Sequence, residues 1–176
     1  ADAVLLNIDL LGNTAVGNRG NGFVIVIPAS GFSGDIINNI AAENGENGFL
    51  IVSDDRHITG DIRGNSALNN GGDGFRVEGE GSRFRGNVVH NVASGNGGDG
   101  FFFDLRNGEF IGRFEDNLAE NNGGDGFEID LSNGFFSDAF FLDGQANGQI
   151  TGGFRRNTAI GNGANGFVLK FIDLDS

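Results

Sequence analysis

The chain contains no cysteine, tryptophan, tyrosine or methionine, and only one proline among 176 residues. The lack of cysteine excludes a disulfide framework and thiolate metal sites. No apolar run approaches the ~20 residues of a membrane helix, so membrane insertion is not expected. Basic residues are also scarce, with 11 Lys and Arg against 24 Asp and Glu, for a net charge of −13. Nucleic acid is therefore an unfavourable partner, because its binding requires a basic face.

What the chain has in abundance is glycine and phenylalanine, with 33 and 18 residues respectively. Both belong to a repeated motif, N-x-A-x-x-N-x-x-[N/D]-G-F. It occurs six times, at 13–23, 39–49, 65–75, 91–101, 117–127 and 157–167. The first five copies are spaced 26 residues apart, and the sixth follows after 40. A fixed period in this range is typical of a solenoid.

Each period contains three short segments that alternate apolar and polar residues, which is the strand signal. The first lies in N-x-A-x-x-N, the second starts at Gly-Phe, and the third reads [F/I]-x-G-x-[I/V/F]. No apolar spacing typical of a helix is sustained. The sequence therefore predicts an all-β parallel β-helix with three strands per 26-residue coil, about six coils and no evident end caps.

This repeat resembles the right-handed parallel β-helix proteins of the pectate-lyase-like superfamily, over the whole chain. The resemblance implies right-handed winding, but that superfamily supports many functions. The enzyme that it suggests is a polysaccharide lyase, hydrolase or epimerase. Neither His57 nor His90 has an evident catalytic partner, and Asp54 and Asp55 are typical of a solvated turn. We therefore predict no catalytic residue, with an enzyme as the minority interpretation.

Stacked coils place equivalent residues ~4.8 Å apart, so identical residues are expected to form columns. One predicted column is aromatic and internal: Phe23, Phe49, Phe75, Phe101, Phe127 and Phe167. A column of small residues, Ala15, Ala41, Ala67, Ala93, Ala119 and Ala159, is expected where the core is narrow. Two columns are amide ladders at sharp bends. The first is Asn18, Asn44, Asn70, Asn96, Asn122 and Asn162, and the second is Asn13, Asn39, Asn65, Asn91, Asn117 and Asn157.

A third polar column contains Asp73, Asp99 and Asp125, continued by Asn in the other coils. Carboxylates ~5 Å apart repel each other, so a calcium ion between them is conceivable. Turn chemistry is the simpler explanation, because Asp and Asn both favour the bend before Gly. No cofactor is otherwise predicted.

The chain is predicted to be a single domain over 1–176, with a 14-residue insertion within about 132–149. The insertion carries much apolar surface, which should not be left in water. It is expected to pack either on its own coil or on a neighbouring molecule. The residues for that lateral contact are Phe135, Phe136, Phe140 and Phe141.

The two ends of the chain suggest a function. It begins and ends two-thirds of the way through a coil, and each partial coil has the segment that the other lacks. Such complementary ends predict a structural subunit that polymerises head-to-tail into an extracellular filament or matrix fibre. The expected interface residues are Val4, Leu6, Ile8, Leu10, Phe167, Leu169, Phe171 and Ile172.

The start Ala-Asp-Ala is compatible with signal cleavage, so we expect an extracellular or cell-surface location. The partner is the protein itself, with a surface polysaccharide also possible. The alternative is a carbohydrate-binding, carbohydrate-processing or adhesin domain, trimmed from a longer secreted protein.

Overall fold

The computed structural model describes residues 6–132 and 153–170. Over these residues the chain forms only strands, turns and bends, with no helix. All the strand pairs are parallel, and their partners are 26 residues apart except across the insertion, where they are 40 apart. The prediction of an all-β parallel solenoid with 26-residue spacing is confirmed, and the strands make about five turns.

Four parallel sheets run along the solenoid, numbered here in the order in which one coil meets them. Sheet 1 contains Thr14–Val16, Ile40–Ala42, Ser66–Leu68, Val92–Ser94, Leu118–Glu120 and Thr158–Ile160. Sheet 2 contains Phe23–Val26, Phe49–Val52, Phe75–Glu78, Phe101–Asp104, Phe127–Asp130 and Phe167–Lys170. Sheet 3 contains Leu6–Asn7, Phe32–Ser33, His57–Thr59, Arg83–Arg85 and Glu109–Ile111. Sheet 4 contains Leu10–Leu11, Ile36–Ile37, Ile62–Arg63, Val88–Val89, Arg113–Glu115 and Gly153–Arg155. We call the stretch that begins at each motif Asn a coil, so that coils 1 to 6 begin at Asn13, Asn39, Asn65, Asn91, Asn117 and Asn157.

The prediction of three strands per coil is wrong, because coils 1 to 4 have four strands each. The third predicted segment divides at its central glycine into one strand of sheet 3 and one of sheet 4. At Gly86, a Cβ atom would overlap the carbonyl oxygen of Gly60 in the coil before it. Gly60 and Gly112 are equally close to the preceding coil. Glycine thus allows the two backbones to touch at the point where the chain bends.

The core is a stack of apolar columns enclosed by the four sheets. Phe49, Phe75, Phe101 and Phe127 are each at most 2% exposed, and their neighbouring ring centroids are 4.8 Å apart. The alanine column is narrow because it faces the glycine before each Phe. A Cβ on Gly74 would lie 2.8 Å from the Cβ of Ala93 and 2.7 Å from the carbonyl oxygen of Gly100. The backbone φ angle of Gly74 is not positive, so glycine is required here because there is no space for a side chain.

Left-handed residues turn the chain at the two ends of sheet 1. Before sheet 1, the φ angles of Asn38, Gly64 and His90 are 55°, 66° and 57°. After it, those of Asn69 and Gly95 are 53° and 70°. Gly and Asn are the residues that adopt this conformation at least cost, which explains their frequency at these two corners.

Candidate functional site

The aromatic column is covered in the interior coils and open at both ends. Phe101 and Phe127 are fully buried, whereas Phe23 is only half-buried and Phe167 is 44% exposed. The terminal rings continue the stack, with centroids 4.9 Å apart for Phe23 and Phe49 and 5.1 Å apart for Phe127 and Phe167. Each described end of the solenoid therefore presents an aromatic ring. We call the surface around Phe23 the first face and that around Phe167 the last face.

The described residues among those predicted at the subunit interface lie in or beside these end coils. The strand of Leu6 pairs with that of Phe32, and Leu10 pairs with Ile36 and is half-buried. Ile8 lies between these two strands and is 49% exposed. Leu169 is half-buried in the last strand of sheet 2. Three predicted interface residues, Val4, Phe171 and Ile172, fall outside the described residues.

Both asparagine columns are continuous hydrogen-bond ladders of one polarity. In coil 3, the backbone N–H and the Nδ2 of Asn70 both donate to Oδ1 of Asn96, at 3.1 and 2.9 Å. Nδ2 of Asn70 also donates to the carbonyl oxygen of Ala41 in coil 2, at 3.0 Å. The interior members of both columns are 2% exposed or less. Each amide therefore satisfies buried backbone groups in the adjacent coils, which is the role of a structural ladder.

The third polar column has the opposite polarity. The backbone N–H and Nδ2 of Asn47 donate to Oδ1 of Asn21, at 3.0 and 2.9 Å, so here each coil donates to the coil before it. Asp replaces Asn in coils 3 to 5, and the backbone N–H of Asp99 still donates to Oδ1 of Asp73, at 2.7 Å. A carboxylate, however, has no second donor to replace the amide Nδ2.

Three stacked carboxylates make this column electrostatically unfavourable at its centre. Burial raises the pKa of Asp99 to about 6. The hydrogen bond from the backbone N–H of Asp125 has the opposite, smaller effect on this pKa. The neighbouring carboxylates of Asp73, Asp125 and Glu128 raise this pKa further. The negative charge of Asp73 is balanced by an ion pair, in which Nη1 of Arg76 lies 2.8 Å from Oδ2 of Asp73. Within the described residues, no group of three or more His, Cys, Asp or Glu side chains is arranged to hold a metal ion, and calcium here stays a prediction.

One corner of the solenoid differs from coil to coil in its side chains. It lies between sheets 2 and 3, and we call it the polar corner, made of 54–57, 80–83 and 106–109. A depression of about 210 Å³ opens there. Its lining consists of Asp55, His57, Gly81, Arg83, Asn107, Gly108 and Glu109.

The side chains of the polar corner are partly fixed by one another. His57, Arg83 and Glu109 face each other across three paired strands, and Nε of Arg83 makes an ion pair with Glu109. In the described structure the two Nη atoms of Arg83 have no protein partner, and this side chain is 42% exposed. The imidazole of His57 is also exposed. The corner thus offers hydrogen-bond donors and acceptors to a small polar molecule.

His90 lies outside the polar corner, and Asp54 does not line its depression. Nδ1 of His90 lies 3.8 Å from a carboxylate oxygen of Asp116, at the corner between sheets 4 and 1. Asp54 is exposed in a turn. The two histidines therefore lie at different corners of the coil.

Sequence reasoning missed the exposed apolar side chains of coil 1 and of the strand before it. The outward-facing Val24 and Val26 in sheet 2 are 55% and 67% exposed, and Leu11 and Val16 are 57% and 53% exposed. Positions equivalent to Val26 carry Glu78, Asp104 and Asp130 in later coils. Comparing outward positions along each column would have revealed this change from apolar to acidic.

The lateral contact predicted for Phe135, Phe136, Phe140 and Phe141 lies outside the described residues. In the part of the chain that is described, no helix is long and apolar enough to cross a membrane. The chain matches no protein-family model, and neither the curated proteins nor the solved structures contain a significant match to it.

Proposed function

We propose that this protein is a structural subunit that self-assembles head-to-tail into an extracellular filament or matrix fibre. The observation that carries the proposal is the aromatic column, whose rings are buried in the interior coils and exposed at Phe23 and Phe167. A further coil ~4.8 Å away would cover either ring in the way that each interior ring is covered. The first coil of another copy carries such a ring.

The geometry of the two faces supports this docking. Sheets 1, 2 and 4 end at the last face in Thr158–Ile160, Phe167–Lys170 and Gly153–Arg155, and begin at the first face in Thr14–Val16, Phe23–Val26 and Leu10–Leu11. A second copy placed on the last face would pair its first strand with the last strand of each of these three sheets, which is β-strand addition. Leu6, Ile8 and Leu10 would then complete a coil with Phe167 and Leu169. Unlike faces that meet in this way form an open chain of subunits.

Right-handed winding and descent from the pectate-lyase-like β-helix superfamily are part of the same proposal. Parallel strands in one sheet are connected almost always by right-handed crossovers. The 26-residue coil and the Asn and Phe columns support this relationship.

The test is assembly of the purified protein over a concentration series, followed by sedimentation and negative-stain microscopy. We expect filaments, and we expect Ile8→Asp to prevent them because it places a charge in the interface. Thr59→Asp is the matched control, since Thr59 is exposed in an interior strand of sheet 3, away from both faces. Circular dichroism should show that both variants remain folded. A protein that stays monomeric at every concentration, with or without calcium, contradicts the proposal.

The polar corner supports a second candidate, a carbohydrate-binding or adhesin domain. Guanidinium, imidazole, amide and carboxylate groups meet there around a depression of about 210 Å³. Hydroxyl groups of a sugar could bond to all of them. A monomeric protein that binds oligosaccharides, and loses this binding with Arg83→Ala, would favour this candidate over the filament.

A further inference from the structure

The hydrogen-bond polarity of the asparagine columns differs between the two faces of the solenoid. We propose that this polarity makes the first face complementary to the last face and not to itself, so that a second copy docks in one orientation and one register. This inference rests on the proposed assembly and names the residues that direct it. They are Asn13, Asn18 and Asn21 on the first face, and Asn157, Asn162 and Asn165 on the last.

The interior coils show what each column requires of its neighbour. In the two columns that contain Asn39 and Asn44, Oδ1 of each Asn accepts two bonds, from the backbone N–H and the Nδ2 of the preceding coil. In the column of Asn47 the direction is reversed, and Oδ1 accepts from the following coil. Each column is thus a chain of donors and acceptors that reads in one direction along the axis.

On the first face, two side-chain oxygens await donors. Oδ1 of Asn13 and Oδ1 of Asn18 accept no bond from the described residues, and both side chains are exposed. In the reversed column, the backbone N–H of Asn21 makes no bond within the described part of the chain, while its Oδ1 is occupied by Asn47. The first face therefore presents two acceptors and one donor group.

On the last face the pattern is inverted. Oδ1 of Asn157 and Oδ1 of Asn162 are occupied by coil 5, whereas their backbone N–H groups have no described partner. Their Nδ2 atoms make one bond each, to the carbonyl oxygens of Phe114 and Ala119, and retain a second proton. Oδ1 of Asn165, in the reversed column, accepts no bond from the described residues.

Docking of the last face on the first face matches every one of these groups. Asn157 and Asn162 would donate to Asn13 and Asn18, and Asn21 would donate to Asn165. If two first faces met, the amide oxygens of Asn13 and Asn18 would find no matching donors, because those donors lie on the last face. Unmatched polar groups buried in this way oppose association. The columns therefore select the orientation, while the aromatic rings supply apolar contact without direction.

Two aspartate substitutions with the same charge change test the polarity. Asn162→Asp replaces a donor by an acceptor opposite Oδ1 of Asn18, and should raise the concentration required for assembly by about tenfold or more. Asn165→Asp leaves an acceptor where an acceptor is required, in a column that already contains Asp99 and Asp125, and should change that concentration by no more than about twofold. Equal effects of the two substitutions would overturn the inference.

Single cysteines test orientation directly, because the chain has no cysteine of its own that could form other disulfides. Val24 and Val168 occupy the same outward column of sheet 2, through the pairs Val24 with Leu50 and Glu128 with Val168. We expect Val24→Cys and Val168→Cys to form a disulfide with each other when mixed and mildly oxidised, and neither to do so alone. Replacing Val24→Cys by Val26→Cys shifts the register by two residues and should reduce the yield several-fold. The positive control is Val24→Cys/Leu50→Cys, whose two positions pair within one chain.

The outcomes separate this inference from the proposed function. Filaments in which the Val24→Cys variant cross-links only to the Val168→Cys variant support both. Assembly that cross-links two copies of Val24→Cys to each other keeps self-assembly and overturns the polarity. A protein that never assembles overturns both.

Discussion

Asp99 shows how a single atom changes the properties of a ladder position. An Asn at this position would donate from Nδ2 to Oδ1 of the equivalent residue in the preceding coil, as Asn47 does to Asn21 at 2.9 Å. Asp99 can supply a donor there only when it is protonated. Burial and the carboxylates of Asp73 and Asp125 favour this protonated form, since they raise the pKa of Asp99 to about 6.

We predict that Asp99→Asn stabilises the protein at neutral pH. Because the folded state holds this proton more tightly than the unfolded chain, the contribution of Asp99 is fully present below pH 3.8 and is lost as the pH rises through about 6. The pKa difference sets an upper bound of about 3 kcal/mol. Since the side chain is only half-buried, we expect a gain of about 1 kcal/mol at pH 8. Urea unfolding at pH 4 and at pH 8 measures it, and the gain should be absent at pH 4.

Asp104→Asn is the matched control with the opposite sign. A hydrogen bond from Arg106, at 2.8 Å, lowers the pKa of Asp104. The stabilisation by Asp104 is therefore present at neutral pH and is lost as the pH falls through its lowered pKa. Asp104→Asn should destabilise the protein at pH 8. If both variants shift the unfolding midpoint in the same direction at pH 8, the assigned cause is wrong.

At the scale of the strand, the glycines between sheets 3 and 4 set how closely the coils approach. Gly34, Gly60, Gly86 and Gly112 follow one another in a column, and a Cβ on any of them would overlap a backbone carbonyl of the coil before it. A backbone carbonyl within a ladder cannot move aside without breaking its own hydrogen bonds. These residues are therefore required by contact between neighbouring coils.

Gly86→Ala is expected to destabilise the protein by about 3 kcal/mol, because its Cβ would displace the backbone of Gly60. Gly20→Ala is the control. The nearest atom to a Cβ on Gly20 is Oε2 of Glu46, at 3.8 Å, so there is room for the methyl group. That substitution should change the free energy of unfolding by no more than about 0.5 kcal/mol, with stabilisation from reduced freedom of the unfolded chain. Thermal and urea unfolding of both variants provide the comparison.

The strands could be predicted from the sequence because burial alternates along them with period two. Phe75 and Val77 are buried while Arg76 and Glu78 are not, and the order of apolar and charged residues alone predicts this alternation. The division of the third segment could not be predicted in the same way. Residues on both sides of Gly86, such as Phe84 and Val88, point into the core, so the alternation continues through the bend. Only the contact with Gly60 in the preceding coil reveals the corner.

Prediction of the candidate site was more limited, for a physical reason. A repeat specifies the columns, and residues such as Asn44 and Phe49 repeat because the fold requires them. The polar corner carries His57, Arg83 and Glu109 at one position of three successive coils, which leaves no pattern in the sequence. The direction of each amide ladder also cannot be predicted from the residue types, because it depends on which neighbouring coil the side chain faces.

At the scale of the whole molecule, each coil contacts only its neighbours, and the stability is a sum of local terms. The insertion does not interrupt this stacking. Leu118 pairs with Thr158 and Phe127 with Phe167, in the register of all the earlier coils. The 40-residue separation of these pairs is therefore accommodated between sheets 2 and 4.

We predict that deleting residues 135–148 leaves the solenoid folded. The deletion restores the 26-residue spacing and joins Gly134 to Gln149, in line with Gly108 and Glu109 of coil 4. The melting temperature should change by no more than about 4 °C. Deletion of 76–89, the same number of residues from coil 3, should abolish folding because it removes strands and shifts the register. Circular dichroism with thermal melting distinguishes the two proteins, and loss of the fold in both would contradict the prediction.

The hydrogen bonds of the Asn columns are indifferent to the length of chain between them. Asn91 reaches Asn117 at 3.0 Å across 26 residues, and Asn117 reaches Asn157 at 2.9 Å across 40. A gene that encodes such a chain can therefore change in two independent ways. Duplication of a whole 26-residue unit would lengthen the axis, whereas insertion between sheets 2 and 4 would add new surface beside an unchanged scaffold.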